Sequence, residues 1–197
     1  MNEAVVILPD RATCSYTANY CEENIWKLCE HVKENNPDLL EKCFCVFISN
    51  DNKQIPLWKQ KANDNPNQPV VWDYHVIFVY IDASSASVYD LDTTLTFPCD
   101  FKTYSSEAIG NDHSLKQSYR RKFRVIAGKE YLRTFASDRS HMRKSDGTWM
   151  SPPPQYPCIR TDMSTNNIDD FISMDGSKGF GNVMDYTTFI DFFTRHY

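Results

Sequence analysis

The sequence contains few glycines and no long apolar run, and both shortages restrict what the chain can be. Six glycines in 197 residues, and no stretch that resembles a flexible linker, leave no place for a domain boundary. A chain of this length can bury one substantial core, so we predict a single domain over residues 1–197. The longest apolar run, around residues 76–81, is far shorter than the roughly 20 residues of a membrane-spanning helix. We therefore expect no membrane partner.

An excess of positive charge is also missing. With 26 acidic and 21 basic residues the net charge is −5, whereas nucleic-acid binding requires a basic surface. The one basic run, Arg120-Arg121-Lys122-Phe123-Arg124, leads into a strand predicted at Phe123–Ala127 and is interpreted as a solvated edge. Nucleic acid is therefore not an expected partner.

The cysteines do not follow a metal-binding or disulfide pattern. There are seven of them, with no Cys-x-x-Cys pair, and the first ten residues have none of the features of a secretory signal peptide. An odd count in such a context predicts reduced thiols in the cytosol or nucleus. Cys43 and Cys45 share one face of a predicted strand, which favours packing over a zinc site, so we expect no metal.

The clearest helix signal lies near the start of the chain, over Tyr20–Lys33. Five apolar side chains recur there with helical period: Cys21, Ile25, Leu28, Cys29 and Val32. Asn19 is a possible cap for this helix, and Glu22 three residues later completes a capping-box pattern.

Most of the remaining elements are predicted strands joined by hairpins. The strongest strand signal is Val70–Ile81, which returns after a turn as Ser87–Asp92. Further strands are predicted near Cys43–Ser49 and Phe123–Ala127; the other predicted segments are helices near 104–109, 130–136 and 187–196 and loops at 61–69 and 137–167. A helix followed by hairpin-joined strands predicts an α+β fold.

Cys21 is the first candidate for chemistry. In the first turn of a helix, free backbone N–H groups and the helix dipole favour a thiolate and can also bind an oxyanion. Glu22 and Glu23 oppose this by raising the thiol pKa, so a cationic histidine is needed to offset them. The alternative is that Cys21 begins the apolar stripe and only packs.

His75 strengthens the catalytic interpretation. Alternation along Val70–Ile81 makes both faces apolar, so a histidine in this strand requires a hydrogen-bonding partner. One hairpin register sets His75 directly opposite Asp90, with Cβ atoms roughly 4.5–5.5 Å apart. A register shifted by two residues sets Asp92 there instead, and the sequence does not separate the two. A purely structural hydrogen bond is the alternative to a Cys–His–Asp triad.

The other histidines are weaker candidates. His31, His113 and His196 lie in polar or terminal positions. His141 is the rival base, although a single histidine in a loop is more often a surface residue.

Seven segments resemble the protein N-terminal glutamine amidohydrolase family, and the resemblance runs from about Cys14 to Phe192. They are Tyr20 to Glu30, Trp72 to Val76, Tyr89 to Thr93, Arg121 to Ile126, Ser137 to Met142, Pro152 to Pro157 and Asp170 to Met174. These segments include several of the rare Trp and Cys residues, so they are specific.

The resemblance implies an enzyme that removes the side-chain amide from an N-terminal glutamine of a protein, leaving glutamate and ammonia. It implies a step that feeds the arginylation branch of N-degron protein degradation, a monomer of the cytosol and nucleus, and no cofactor. It also implies a papain- or transglutaminase-like core with the nucleophile at a helix N-terminus on an antiparallel sheet. The family's catalytic residues fall on Cys21, His75 and Asp90.

An enzyme that selects N-terminal residues must recognise a free α-ammonium group. Glu22, Asp73 and Asp92 are the acidic candidates for this contact. Trp72 and Tyr74 are interpreted as core or as walls of the pocket. Two other functions stay open: a papain-like protease or transglutaminase, and a pseudoenzyme that binds N-terminal residues without turnover.

Overall fold

A six-stranded antiparallel sheet forms the centre of the computed structural model, which describes residues 7–65, 67–83 and 85–194. The strand order is β6-β5-β4-β1-β7-β8, and a separate two-stranded sheet pairs β2 with β3. The strands are β1 (Cys43–Ser49), β2 (Ile55–Leu57), β3 (Val70–Trp72), β4 (His75–Ile81), β5 (Ala86–Tyr89), β6 (Cys99–Asp100), β7 (Lys122–Ala127) and β8 (Asn182–Met184). The helices are α1 (Cys21–Asn35), α2 (Phe101–Tyr104), α3 (Gly128–Thr134), α4 (Ile168–Ile172) and α5 (Tyr186–Thr194). The prediction of an α+β fold is confirmed.

The two faces of the sheet bury separate apolar clusters, as the alternation in β4 predicts. Val76, Phe78 and Tyr80 lie in one cluster, with the apolar stripe of α1. Ile77 and Val79 lie in the other, where α5 packs on the sheet. On that second face Phe123 of β7 stacks on Phe189 of α5, with ring centroids 4.0 Å apart. β4 is therefore central and buried on both sides.

The start of α1 differs from the predicted capping box. Asn19 has a φ of 67° and precedes the capping position, which is occupied by Tyr20; within the described residues no side chain caps this helix. The turn is held by Asn24, whose amide accepts a hydrogen bond from Thr17 N and donates one to Thr17 O. Glu22 is directed into the interior. The capping-box prediction was wrong, although the helix begins close to the predicted residue.

The predicted strand Val70–Ile81 is interrupted at Asp73-Tyr74. β3 belongs to the small sheet, and only β4 belongs to the large one. The Asp73 carboxylate accepts a hydrogen bond from Tyr74 N at 2.9 Å, which removes a donor from the strand ladder. Ser49 Oγ holds Asp73 O at 2.7 Å. The break makes His75 the first residue of β4, a central strand of the large sheet.

The hairpin register also differs from the one that sets His75 opposite Asp90. Phe78 pairs with Tyr89 and Val79 with Val88, which is the register shifted by two residues. β5 ends at Tyr89, because the Asp90 carboxylate turns back and accepts a hydrogen bond from Asp92 N at 2.9 Å. Asp90 therefore lies beyond the ladder.

Several short elements were not predicted, namely β2, β6, β8 and α4. The helix predicted near residues 104–109 is α2 followed by a π-helical turn over Ser105–Ile109. The segment 137–167 is mostly loop, as predicted, and α5 matches the predicted C-terminal helix up to residue 194; residues 195 and 196 of that prediction lie outside the described residues. In the described part of the chain, no helix has the length and apolar character needed to cross a bilayer.

Candidate active site

A cleft of about 720 Å³ opens where the first turn of α1 meets the start of β4. One wall carries Cys21 and His75, and a second wall comes from the loop after α3, with His141, Met142 and Met150. The cleft thus joins the two candidate catalytic side chains to a distant segment of the chain.

The imidazole of His75 is held by Asp90, at 3.0 Å between Nε2 and Oδ1. Both side chains are 1% exposed. The same carboxylate accepts hydrogen bonds from Tyr104 Oη (2.8 Å), Gln60 Nε2 (3.3 Å) and the Asp92 backbone (2.9 Å). Burial raises the pKa of Asp90, but the charge and hydrogen bond of His75 and the hydrogen bonds from Tyr104 and the Asp92 backbone lower it below its usual value. Asp90 is therefore a buried carboxylate that stays ionised.

This carboxylate also controls the basicity of His75. Burial lowers the pKa of the imidazole, but the charge and hydrogen bond of Asp90 outweigh it, so the pKa is raised above 6.5. Trp72 stacks on the ring, with centroids 5.7 Å apart and planes 18° apart. Because Asp90 occupies Nε2, Nδ1 is the ring nitrogen left for another partner.

Cys21 is the first residue of α1 and a half-buried free thiol. Burial raises the pKa of Cys21 well above its usual value; the carboxylates of Glu22, Asp92 and Asp73 raise it further, in that order, and a backbone hydrogen bond from Val76 lowers it. The thiol therefore needs nearby positive charge, or a base, to become a nucleophile.

The three acidic candidates for substrate binding lie in different environments. Asp73 is exposed and lines the cleft. Asp92 is half-buried, lines the cleft and accepts a hydrogen bond from Tyr16 Oη at 2.5 Å. Glu22 is 0% exposed and accepts one from Tyr74 Oη at 3.0 Å. Only the two aspartates face the cleft directly.

His75, Asp90 and Asp92 form a cluster whose candidate ligand atoms lie within 4.8 Å of one another. One imidazole and two carboxylates are a set that can bind a divalent cation. Here these side chains are already engaged in the His75–Asp90 and Tyr16–Asp92 hydrogen bonds. This favours a role in proton transfer over metal binding.

His141 lies in the cleft although its segment is a loop, and Tyr104, which no sequence pattern singles out, contacts Asp90. His141 is half-buried and lines the cleft, with Nε2 3.6 Å from Glu22 Oε1. A histidine in a predicted loop carries no periodic signal, so only the structure shows that His141 lines the cleft. Tyr104 is the last residue of α2 and belongs to no motif that links it to Asp90.

A buried ion pair fixes the loop wall of the cleft to α1. The Arg139 guanidinium donates two hydrogen bonds of 2.8 Å to the carboxylate of Glu23. It also donates to Pro154 O at 3.2 Å and Tyr156 O at 3.0 Å. The loop that carries His141 is therefore tied to the helix that carries Cys21.

Comparisons with known proteins identify the family of this chain. Residues 16–193 match the family described as N-terminal glutamine amidase. A Danio rerio protein is 51% identical over 193 residues, covering 98% of this chain and 95% of the relative. A Homo sapiens protein is 50% identical over 182 residues (92% and 88%), and one from Drosophila grimshawi is 46% identical over 190 residues (96% and 93%).

All three relatives are named protein N-terminal glutamine amidohydrolase. These matches confirm the resemblance found in the sequence, since they extend over nearly the whole chain at about half identity. The chain belongs to the N-terminal glutamine amidase family.

Proposed function

We propose that this protein hydrolyses the side-chain amide of an N-terminal glutamine in proteins and peptides, giving N-terminal glutamate and ammonia. The observation that carries the proposal is the buried His75–Asp90 pair beside a helix-start cysteine in one cleft, in a chain of this family. Cys21 is the nucleophile, His75 the acid and base, and Asp90 the group that orients His75.

The acylation step uses the thiol and the imidazole as a pair. Cys21 transfers its proton to His75, and the sulfur attacks the side-chain carboxamide carbon of glutamine. The first-turn N–H groups of α1, which lack helical partners, bind the oxyanion. His75 then donates its proton to the leaving nitrogen, ammonia departs and a thioester remains.

The deacylation step returns the enzyme to its starting state. His75 takes a proton from water, the hydroxide adds to the thioester, and the carboxylate leaves as Cys21 recovers its proton. Asp90 holds the imidazole tautomer and stabilises its cation in both steps.

We further propose a papain- or transglutaminase-like core, supported by the helix-start cysteine on an antiparallel sheet and by the chain order Cys, His, Asp. The family resemblance supports a monomer of cytoplasm and nucleus that acts without a cofactor. It also supports a place in the arginylation branch of N-degron degradation.

Ammonia release from matched peptides tests the reaction. Peptides that begin with free Gln, free Asn or acetyl-Gln, and one with only internal Gln, are incubated with the wild-type protein. We expect release from free N-terminal Gln alone. Release from internal Gln supports the transglutaminase or protease alternative, and no release from any peptide contradicts the proposed activity.

Asp92 is the acidic residue that we propose to bind the substrate α-ammonium group. Asp92 lines the cleft, and its carboxylate lies within 4.8 Å of the candidate ligand atoms of His75 and Asp90. Its charge also raises the pKa of Cys21 more than the charge of Asp73 does. Tyr16 occupies one of its oxygens and fixes its orientation. The α-ammonium of glutamine is four bonds from the attacked carbon, so a partner in the same cleft as the triad is within its reach.

Changing Asp92 to Asn should raise KM for an N-terminal Gln peptide by roughly tenfold to a hundredfold, the cost of one charge-assisted hydrogen bond. The Asn side chain keeps the size of Asp92 and its contact with Tyr16. Steady-state kinetics check this, with Asp73→Asn as the matched control. Equal losses in the two variants, or a loss only in kcat, would contradict Asp92 as the partner.

A further inference from the structure

A second buried charge pair lies directly beside the nucleophile. The Glu22 carboxylate is 0% exposed, and its Oε2 lies 3.8 Å from Cys21 Sγ. Its Oε1 accepts no hydrogen bond from the described residues, but His141 Nε2 lies 3.6 Å away. Both ring nitrogens of His141 are buried, and neither has a hydrogen-bonding partner among the described residues.

This arrangement creates an electrostatic problem for the reaction. A buried carboxylate next to a sulfur atom opposes formation of the thiolate, because two negative charges come close in a medium of low dielectric. Tyr74 donates a hydrogen bond to Glu22 but brings no charge. Without a compensating cation, Glu22 would suppress the nucleophile.

We propose that His141 carries the positive charge that offsets Glu22, so that the Glu22–His141 pair is a positioning device that sets how readily Cys21 ionises. The proposal rests on Cys21 as the nucleophile. It gives the 137–157 loop a part in the chemistry besides forming a wall of the cleft.

Two of the charged groups next to this cluster are already paired with other residues. On α1 and the loop, Glu23 is neutralised by Arg139. On the strand side, His75 is paired with Asp90. Among the described residues, His141 is the cationic side chain that lies within 4.0 Å of the Glu22 carboxylate. The other titratable groups that face the cluster are Asp138, Arg143 and Tyr156 on the loop, Tyr20 on the turn before α1, Cys45 on β1, Asp73 and Tyr74 before β4, Tyr131 on α3, and Tyr16 and Asp92 across the cleft.

The protonation of His141 agrees with this role. Burial lowers the pKa of His141, but the Glu22 carboxylate outweighs it and the pKa is raised above 6.5, so the imidazole holds its proton to higher pH than a free histidine. Arg143 lies 4.0 Å over the Trp149 ring and is exposed, so solvent screens its charge more than that of the half-buried His141.

Alkylation of Cys21 by iodoacetamide across pH tests the proposal without using catalysis. The rate is followed by mass spectrometry of the Cys21 peptide, so the other thiols do not interfere. His141→Gln should slow alkylation at neutral pH by roughly tenfold to a hundredfold, the effect of losing one nearby compensating charge, and should shift the alkaline midpoint upward.

Glu22→Gln removes the negative charge of Glu22 but keeps the size of its side chain, so it separates the effect of the charge from an effect on the fold. The Glu22→Gln/His141→Gln double variant should return to within a few-fold of the wild-type alkylation rate, because the uncompensated carboxylate is gone. Glu22→Gln alone should alkylate at least as fast as wild type. His31→Gln, on the outer side of α1, is the matched control and should leave the alkylation rate of Cys21 unchanged. Thermal unfolding reports on the fold of each variant.

Two results would overturn the proposal. One is an unchanged alkylation profile in His141→Gln, and the other is a double variant that is as slow as His141→Gln. Failure of the proposed activity gives a different pattern: wild type then releases no ammonia from N-terminal Gln peptides, while the alkylation series still reports on the charge pair.

Discussion

Cys21→Ala is expected to reduce ammonia release from an N-terminal Gln peptide by roughly 10⁴- to 10⁶-fold, the loss seen when a triad nucleophile is removed. Neither water in the cleft nor His75 alone supplies a covalent intermediate. Alanine is a good helix former and removes only one sulfur atom at the start of α1, so the fold should persist.

Cys29→Ala is the matched control, because Cys29 lies two turns further along the same helix and is fully buried in the core. This variant should lose some stability but keep its activity. Ammonia assays on both variants, with circular dichroism to monitor folding, check the expectation. Activity retained in a clean Cys21→Ala preparation would contradict the assignment, as would an equal loss in Cys29→Ala.

The largest expected effect on stability belongs to Arg139→Met. The substitution keeps most of the side-chain volume but leaves the carboxylate of Glu23, which is 0% exposed, without its partner. It also removes the hydrogen bonds to Pro154 O and Tyr156 O. Breaking a buried pair on one side costs about 3–5 kcal/mol, so the free energy of unfolding should fall by that amount.

Urea denaturation measures this change. The exposed Arg133→Met, on α3, is the control and should alter the free energy of unfolding by less than about 0.5 kcal/mol. The Glu23→Gln/Arg139→Met double variant should recover part of the loss, because no buried charge is left unpaired. Equal effects of Arg139→Met and Arg133→Met would show that the pair contributes no stability.

The parts of the fold that follow a single period were predictable from the sequence. The apolar stripe of α1 places Cys21 at a helix start, and the alternation from Val76 to Tyr80 places β4 in the middle of the sheet. The need of a buried His75 for a hydrogen-bonding partner also follows from the strand alone.

The details that join these elements were not predictable. The His75–Asp90 contact forms although the ladder follows the other register, because Asp90 leaves the strand and folds back toward the imidazole. A side chain in a turn is placed by local hydrogen bonds and not by alternation. Likewise, His141 is held beside Glu22 by contacts such as the Arg139–Glu23 pair, which joins residues 116 positions apart.

The length of β4 has a practical consequence for protein engineering. Its seven residues span about 20 Å, with His75 at one end and the connection to β5 at the other. Ala83 and Ser85 in that connection are exposed. A reporter dye or an immobilisation tag attached there would lie a full strand length from the imidazole, with the rigid, buried β4 in between. Peptide substrates would then reach the cleft from the opposite end of the molecule without meeting the label.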